Sequence, residues 1–406
     1  IASKRNRVIL LFWGKKMAEH KKIAVIITTY FQHSHGDVIA TKYMKGFPTD
    51  TGHQMPRVDL VSIYLDQVDD RDIGVGLAAE HNVPIYPSIR QALTLGGNEL
   101  SVDGVILIGE HGDYPYNEFE QHMYPRRYMF EQICGVFASS GRSVPVFCDK
   151  HLAYNWDDAF WMYNRANALD VPFMAGSSLP LSWRKPFLEH DLDTALASAV
   201  GIGYGGVESY GFHSLETLQC MIERRQGGES GVVAIQCLEG QAVWEAGQAG
   251  KWSLELAEAA CAQIENRPDS TFIDGCPNPT AFLLEHRDGF RSAVLMLNGY
   301  VSDFAYAAKA DDTYYATEFY LQNGPPHAHF SYLSLNIEEM FVTGKPQYPV
   351  ERTLLVTGVL DALMHSRAEG HVRIETPHLA DIAYRSYQKM PIRPTAPRPE
   401  GATLKA

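Results

Sequence analysis

The eight residues from 144 to 151 constrain the fold of this chain more than any other stretch. Their first half, Val-Pro-Val-Phe, is apolar and rich in strand formers, which is typical of a fully buried strand. The run then ends in Asp149, Lys150 and His151, so three titratable side chains follow the strand. Ligands of open α/β sheets bind at that end, where a partly desolvated lysine can donate a proton or hydrogen-bond a reacting oxygen. The simpler alternative is that Lys150 caps the sheet and pairs with a surface carboxylate.

Short apolar runs recur through the first part of the chain and alternate with helix-like segments. Mostly apolar runs at 23–28, 60–65 and 104–108 predict further buried strands, each followed by a loop and a helix. Repeated strand–turn–helix order is the pattern of an α/β, Rossmann-like fold, in which helices cover both faces of a doubly wound parallel sheet. We therefore predict such a domain over residues 22–180.

A different pattern follows in the second half of the chain. Alternating apolar and polar residues at 281–287, 291–297 and 313–321 predict a large, mostly antiparallel sheet with one face covered. With the helix-like segments around them, these strands predict an α+β domain over residues 181–385, for substrate binding and oligomerisation. The polar, proline-containing residues 386–406 are expected to form a C-terminal tail.

The chain begins with isoleucine, and residues 1–16 place Arg and Lys around a short apolar patch. That pattern superficially resembles an export signal, but no convincing small-residue cleavage site precedes Met17. We interpret residues 1–16 as upstream or added sequence and expect translation to start at Met17. Residues 1–21 are therefore predicted to form an N-terminal extension.

Composition argues against several classes of partner. The formal net charge is −13, whereas nucleic acids and anionic membranes attract a concentrated positive surface. No apolar run reaches the roughly 20 residues that span a bilayer. The six cysteines are scattered without the spacing of a zinc or redox motif, which favours reduced thiols and a cytoplasmic protein that acts on a small molecule.

The turn after the first predicted strand lacks the glycines of a dinucleotide-binding fold. It contains only Gly36, and Tyr30 and Phe31 occupy its tight part. Glycines in this turn let the backbone approach a pyrophosphate, so their absence argues against ordinary cofactor binding. Asp66, at the end of the second predicted strand, can hold a ribose hydroxyl or can belong to a solvated turn.

Titratable residues follow three of the predicted strands. They are His33, His35, Asp37, Glu110, His111, Asp113, Asp149, Lys150 and His151. Because the carboxyl ends of parallel strands share one edge of the sheet, we expect these groups to converge, as they do in functional sites. Imidazole and carboxylate suit Zn, Mn or Fe, so His33, His35, Glu110, His111 and His151 are candidate ligands of a divalent metal. No pair has the spacing of a known metal motif, and His33 and His35 can also simply cap the helix.

His213 lies near a predicted helix start, and Glu216 follows one helical turn later. A carboxylate at that spacing can orient an imidazole for general base catalysis. The alternative is a half-buried histidine whose hydrogen bonds are satisfied. Residues 323–330 contain His327 and predict a loop that can face the same site.

The chain resembles a divergent member of the glucose–fructose oxidoreductase and inositol dehydrogenase family over most of residues 22–385. Residues 146–152, Val-Phe-Cys-Asp-Lys-His-Leu, resemble the family's strand that ends in Glu-Lys-Pro. Residues 209–216, Ser-Tyr-Gly-Phe-His-Ser-Leu-Glu, resemble its Asp-x-Gly-x-His-x-x-Asp segment, and residues 339–366 resemble its closing helix–loop–helix. The chain departs from the family at the glycine fingerprint and at residues 110–113.

The resemblance implies an NAD- or NADP-dependent oxidoreductase that acts on a hydroxyl of a sugar, cyclitol or related polyol. Lys150 and His213 fall on the residues that bind substrate and relay its proton. The cofactor-binding residues implied by this placement are Thr28, Tyr30, His33, Asp66, Glu110 and Asp149. The substrate-binding residues are expected to be His111, His151, Arg184, Glu216 and His327. A homo-oligomer through the C-terminal sheet is expected as well.

Two other functions are compatible with the same residues. The missing glycines favour an enzyme that has lost the nucleotide, a lyase, hydratase or epimerase of carbohydrates that uses Lys150 and His213 as an acid–base pair, with or without a metal. The remaining alternative is a sugar-sensing or assembly protein without catalysis.

Overall fold

The computed structural model of the protein describes residues 20–321 and 324–394. The predicted extension, apart from its last two residues, and the tail beyond residue 394 lie outside the described residues, as does Asn323 of the predicted loop. The strands are β1 (Lys21–Ile27), β2 (Phe47–Thr49), β3 (Gly52–Gln54), β4 (Val58–Leu65), β5 (Gly104–Ile108), β6 (Val146–Asp149), β7 (Phe173–Gly176), β8 (Trp183–Lys185), β9 (Leu196–Gly203), β10 (Val232–Glu239), β11 (Asn278–His286), β12 (Arg291–Asn298), β13 (Phe304–Ala310), β14 (Thr313–Tyr320) and β15 (Ile374–Glu375).

The helices alternate with the strands in the first half of the chain. In the second half, several helices or several strands follow one another. They are α1 (Thr41–Lys45), α2 (Gly74–Glu80), α3 (Ile89–Thr94), α4 (Arg126–Ser140), α5 (Trp156–Ala168), α6 (Ser209–Ile222), α7 (Gln241–Gln248), α8 (Leu254–Cys261), α9 (Phe272–Gly275), α10 (Ala328–Thr343) and α11 (Glu351–Ala368). A π-helical turn, Gly36–Ala40, leads into α1, and a 3₁₀ turn, Leu179–Leu181, follows β7.

The first sheet has five parallel strands in the order β4-β1-β5-β6-β7. Its central strands are buried along almost their whole length because apolar clusters pack on both faces. This confirms the expected Rossmann-like, doubly wound fold. A single bridge between Ile63 and Ile85 adds a further parallel contact beside β4.

The second sheet has eight strands in the order β15-β10-β11-β12-β9-β13-β14-β8, and every pairing except β12 with β9 is antiparallel. The expected mostly antiparallel sheet is thus confirmed, but both of its faces are covered. Phe282 and Leu284 of β11 pack beneath α6 and α11, whereas Ala281 and Leu283 pack towards α7 and α8. The expectation of one covered face was therefore wrong, since β11 is almost continuously apolar.

Helix α10 packs on the first sheet although it follows the second sheet in the chain. Phe341 of α10 lies against Gly104 of β5, where a Cβ would come within 2.6 Å of the ring. The helix begins at Ala328, so most of the predicted loop at 323–330 lies before it. None of the helices in the described part of the chain is long and apolar enough to cross a membrane.

Candidate active site

The candidate active site lies at the carboxyl edge of the first sheet, where β1, β5 and β6 end side by side. Thr28 follows β1, and its hydroxyl donates to the backbone oxygen of Glu110, 2.6 Å away and 82 positions later in the sequence. Glu110 follows β5, and Lys150 follows β6. The parallel strand order therefore brings these distant residues to one place.

A buried cluster of three charged side chains stands at this edge. Lys150 Nζ donates to Glu110 Oε1 at 2.6 Å, and Arg126 Nη2 donates to Glu110 Oε2 at 2.5 Å and to the backbone oxygen of Lys150 at 2.6 Å. Arg126 is 0%, Lys150 3% and Glu110 6% exposed. Burial by itself raises the pKa of Glu110, but the charges of Lys150 and Arg126 hold it well below its usual range, so this carboxylate is ionised.

Sequence reasoning missed Arg126, because an arginine at a helix start is expected to be exposed. The space for its side chain comes from Gly109, where a Cβ would lie 2.5 Å from Arg126 Cγ. The partner of Lys150 is therefore the buried carboxylate of Glu110, which also accepts a hydrogen bond from the buried Arg126. It is not the surface carboxylate of the simpler alternative.

The imidazoles of His35 and His111 lie beside this cluster. His35 Nδ1 is 2.6 Å from Oδ2 of Asp149, which is fully buried. The ring centroids of His35 and His111 are 5.7 Å apart. Burial lowers the pKa of His111 to about 4, so its imidazole is neutral at pH 7.

His213 approaches the site from α6, in the second half of the chain. Its Nδ1 is 3.3 Å from the hydroxyl oxygen of Ser177, which directly follows β7. That hydroxyl donates to one carboxylate oxygen of Glu216, and the backbone N–H of Ser177 donates to the other oxygen at 3.0 Å. Ser177 therefore stands between the histidine and the carboxylate that the sequence predicts to interact directly.

The environment of His213 holds its imidazole in the neutral form. Burial lowers its pKa well below the usual range, and the charge of Lys150 lowers it further, so the imidazole is neutral. Its partner Ser177 follows β7, which pairs with β6 in the same sheet, so His213 reaches the same edge as Lys150. Ser177 was missed from the sequence, although its position directly after a strand of the ligand-binding edge is a signal that could have found it.

Glu216 should make the stability of the fold pH-dependent. Burial raises its pKa from 4.5 to about 7, although hydrogen bonds from Ser177 oppose the rise. Since the folded chain holds this proton more tightly than the unfolded chain, the contribution of Glu216 is full below pH 4.5 and is lost as the pH rises through about 7. Glu216→Gln cannot ionise and should flatten that decline, measured as the free energy of unfolding in urea across this pH range.

The matched control for this experiment is Glu255→Gln, which alters an exposed carboxylate of α8. It should keep the wild-type pH dependence. Equal slopes for wild type and Glu216→Gln would contradict the assignment of a raised pKa to Glu216.

A cavity of about 510 Å³ opens beside the charged cluster and is lined in part by Glu110, His151 and Glu208. The rings of His122 and Tyr124 stack in its wall with centroids 4.0 Å apart. Stacked ring faces together with carboxylate acceptors suit a hydroxylated ring, which presents C–H faces and O–H donors.

Three predicted site residues lie elsewhere. Tyr30 is 1% exposed, and its hydroxyl bonds to Thr41 Oγ1 at 2.7 Å within the core, so its ring does not line the cavity. His33 and His327 pair with each other at 3.0 Å beside a second cavity of about 410 Å³. They do not join His35, Glu110 and His111, although the sequence grouped His33 with them.

Arg184 is buried in the second half of the chain. It donates to the backbone oxygen of Pro180 at 3.0 Å, lies 3.8 Å from Glu189 and packs over the ring of Phe319. These contacts explain its burial without a ligand. A role in substrate binding stays a prediction for Arg184 and for His327.

The turn after β1 is closed by its own hydrogen bonds. The N–H groups of Phe31 and Asp37 donate to Ser34 Oγ, that of Val38 donates to the backbone oxygen of Ser34, and that of His33 donates to Asp37 Oδ2. Phosphates bind at helix N-termini through such N–H groups, and Asp37 also places a carboxylate there.

The segment after β5 lies across the end of β1. The Tyr114 hydroxyl donates to Asp66 Oδ2 at 2.6 Å, and the N–H of Asp113 donates to Gln67 Oε1 at 2.8 Å. Asp66 and Gln67 follow β4, and β1 lies between β4 and β5, so the segment bridges the crevice. A dinucleotide in a Rossmann-like domain lies in that crevice, with its ribose on an acid placed like Asp66. The residues present here do not fit a dinucleotide held in that way.

The two sheets and their connection define the class of the protein at the level of its fold. A five-stranded Rossmann-like sheet is followed by a large, mostly antiparallel sheet, which is the fold of inositol and sugar dehydrogenases. The resemblance to the glucose–fructose oxidoreductase and inositol dehydrogenase family is thus confirmed as a resemblance of fold.

Solved structures of this class match nearly the whole chain. GenD2 from gentamicin A biosynthesis, in complex with NAD, is 14% identical with a TM-score of 0.57 and covers 89% of this chain and 98% of its own. Myo-inositol dehydrogenase from Lactobacillus casei, in complex with NAD(H) and myo-inositol, is 10% identical with a TM-score of 0.55 and covers 88% and 97%. UDP-N-acetylglucosamine 3-dehydrogenase GnnA from Acidithiobacillus ferrooxidans is 11% identical with a TM-score of 0.53 and covers 86% and 97%. No family model and no curated protein matches the sequence.

Proposed function

We propose that the protein is an enzyme that acts at a hydroxyl-bearing carbon of a sugar, cyclitol or related polyol. One observation carries the proposal: Lys150 is buried at the ligand-binding edge with its Nζ 2.6 Å from Glu110 Oε1, and His213 contacts Ser177 at the end of the neighbouring strand β7. A fixed cation next to a neutral imidazole is the pair that removes a proton from a hydroxyl and stabilises the charge left on oxygen.

The roles of the residues follow from their contacts. His213 accepts the hydroxyl proton, and Lys150 hydrogen-bonds the same oxygen as negative charge develops on it. Ser177 bridges His213 to Glu216, whose pKa of about 7 allows it to share that proton. Glu110 and Arg126 hold Lys150 in place.

Oxidation of the hydroxyl with NAD or NADP is one reaction that this pair can serve. The names of the neighbouring structures support it, because GnnA and the Lactobacillus casei protein are named dehydrogenases and GenD2 is seen with NAD. The closed turn after β1 and the bridging segment do not accommodate the nucleotide, so we derive no hydride step from these residues.

A lyase, hydratase or epimerase reaction without nucleotide is the second candidate, and the geometry of the sheet edge favours it. The contact between Tyr114 and Asp66 occupies the carboxylate on which a ribose would bind. Elimination, hydration and epimerisation beside a carbonyl group of the substrate need a base for the C–H proton and a general acid, and these are the roles of His213 and Lys150 in this reaction.

Native mass spectrometry of the gently purified protein, with fluorescence titration by NADH and NADPH, separates the two reactions. We expect no retained dinucleotide and no saturable fluorescence change, because the crevice is bridged. A panel of sugars and cyclitols should then show turnover by NMR without added nucleotide. Retained or titratable NAD(H) would establish the dehydrogenase instead. Absence of any turnover on the panel, with or without nucleotide, would favour the sugar-sensing alternative.

A further inference from the structure

Three side chains at the sheet edge converge as metal ligands do. One nitrogen of His35, one nitrogen of His111 and one carboxylate oxygen of Glu110 lie within 4.8 Å of one another. A tetrahedral ion with ligands at roughly 2.1 Å would hold them about 3.4 Å apart, so each pair needs to close by about 1.4 Å at most.

His35 carries the outer partner that metal-bound histidines usually have. Its Nδ1 is 2.6 Å from the buried carboxylate of Asp149. A carboxylate that accepts from Nδ1–H fixes the tautomer and leaves the lone pair on Nε2 available to a metal. This pairing fixes the orientation of the His35 ring, which a histidine that only caps a helix does not require.

Outer partners also hold the carboxylate of the three ligands. Lys150 and Arg126 hydrogen-bond Glu110 and hold its orientation, as outer partners do for ligating carboxylates. Asp149 has its second oxygen, Oδ1, buried without a hydrogen-bond partner among residues 20–321 and 324–394. An unpaired carboxylate oxygen in the interior is costly, and a nearby cation offsets that cost.

We propose that His35, Glu110 and His111 bind a divalent transition-metal ion, with Asp149 as the carboxylate that orients His35. Two imidazoles and one carboxylate are the donor set of zinc, iron and manganese sites, whereas calcium and magnesium prefer oxygen ligands throughout. His33 and His151 are not part of this set, although the sequence proposed both as ligands.

The ion would stand next to Lys150, because both contact Glu110. Resting on the proposed function, this placement makes the ion a Lewis acid for the substrate oxygen that Lys150 hydrogen-bonds. The cavity beside Glu110 provides the route by which a polyol reaches it.

Cobalt(II) is the probe that tests the site without any knowledge of the substrate. The full chain, stripped with a chelator, is titrated with Co²⁺ while its visible absorption is recorded, and the metal content of untreated protein is measured by plasma mass spectrometry. The variant is His111→Asn, because asparagine tolerates the left-handed backbone of His111 (φ 66°). The matched control is His122→Asn, on the same segment but outside the three ligands.

We expect one Co²⁺ per chain with ligand-field bands for wild type and for His122→Asn. His111→Asn should lose more than about 100-fold in affinity, since loss of an outer partner alone costs 10–100-fold. No saturable Co²⁺ binding by wild type, or equal binding by all three proteins, would overturn the site. Turnover that is abolished by Lys150→Met in a chain that binds no metal would refute the metal site and leave the proposed function standing.

Discussion

Replacing Lys150 with methionine should lower the turnover number on any polyol that the wild type converts by about 10²- to 10⁴-fold, the usual contribution of a positioned acid or base. Methionine keeps most of the length of the side chain and removes the charge that lies 2.6 Å from Glu110. The loss should appear mainly in kcat, because Lys150 stabilises charge that develops on the substrate oxygen during the reaction. Product formation followed by NMR measures it.

The matched control is Lys345→Met, which alters an exposed lysine between α10 and α11. It should leave kcat and KM unchanged. Because Lys150→Met also removes one partner of a buried carboxylate, its folding is checked by circular dichroism at the assay temperature. A folded Lys150→Met variant with wild-type kcat would exclude Lys150 from the chemistry.

The strands of the first sheet could be predicted because their signal is local. Each of β1, β5 and β6 contains a short apolar run, as burial on both faces requires, and polar or titratable residues follow within a few positions. The same reasoning predicted the edge at which Glu110 and Lys150 meet. The carboxyl ends of parallel strands share one edge of the sheet, so this convergence could be predicted without knowledge of side-chain packing.

Contacts that depend on packing could not be predicted in this way. Tyr30 stands in the turn by sequence, yet its ring is buried because Gly74 leaves room for it: a Cβ there would lie 2.6 Å from the ring. The contact of Tyr114 with Asp66 joins two loops 48 residues apart in the sequence, and no local sequence pattern predicts it. The sequence therefore predicted a ribose role for Asp66, whereas the structure shows its carboxylate already bonded.

The sequence predicted the positions of Lys150 and Glu110 but not the arginine that holds them. Both residues follow strands, but Arg126, which braces them, starts a helix and has no distinctive local signal. The cytoplasmic location and the homo-oligomer through the second sheet stay predictions. All six cysteine side chains are buried and unpaired, which describes their packing and leaves the compartment open.

Replacing Arg126 with methionine should have the largest effect on stability, a loss of about 3–5 kcal/mol in the free energy of unfolding, as expected when one partner of a buried ion pair is removed. Arg126 is fully buried and bonds both Glu110 and the backbone of Lys150. Without it, Glu110 keeps only Lys150 and loses a charged hydrogen bond in the interior. Urea unfolding at pH 7 measures the change.

The adjacent residue provides a matched control for this loss. Arg127 pairs with Glu131 on the surface of α4, with 35% of its side chain exposed, so Arg127→Met should cost no more than about 1 kcal/mol. Arg126→Met is destabilising because it leaves the buried carboxylate of Glu110 without one of its partners. The double variant Arg126→Met/Glu110→Gln should therefore recover part of the lost free energy of unfolding. The two variants would thus be less than additive, which marks a direct interaction. Equal losses for Arg126→Met and Arg127→Met, or strictly additive effects with Glu110→Gln, would contradict the view that Arg126 stabilises the fold through Glu110.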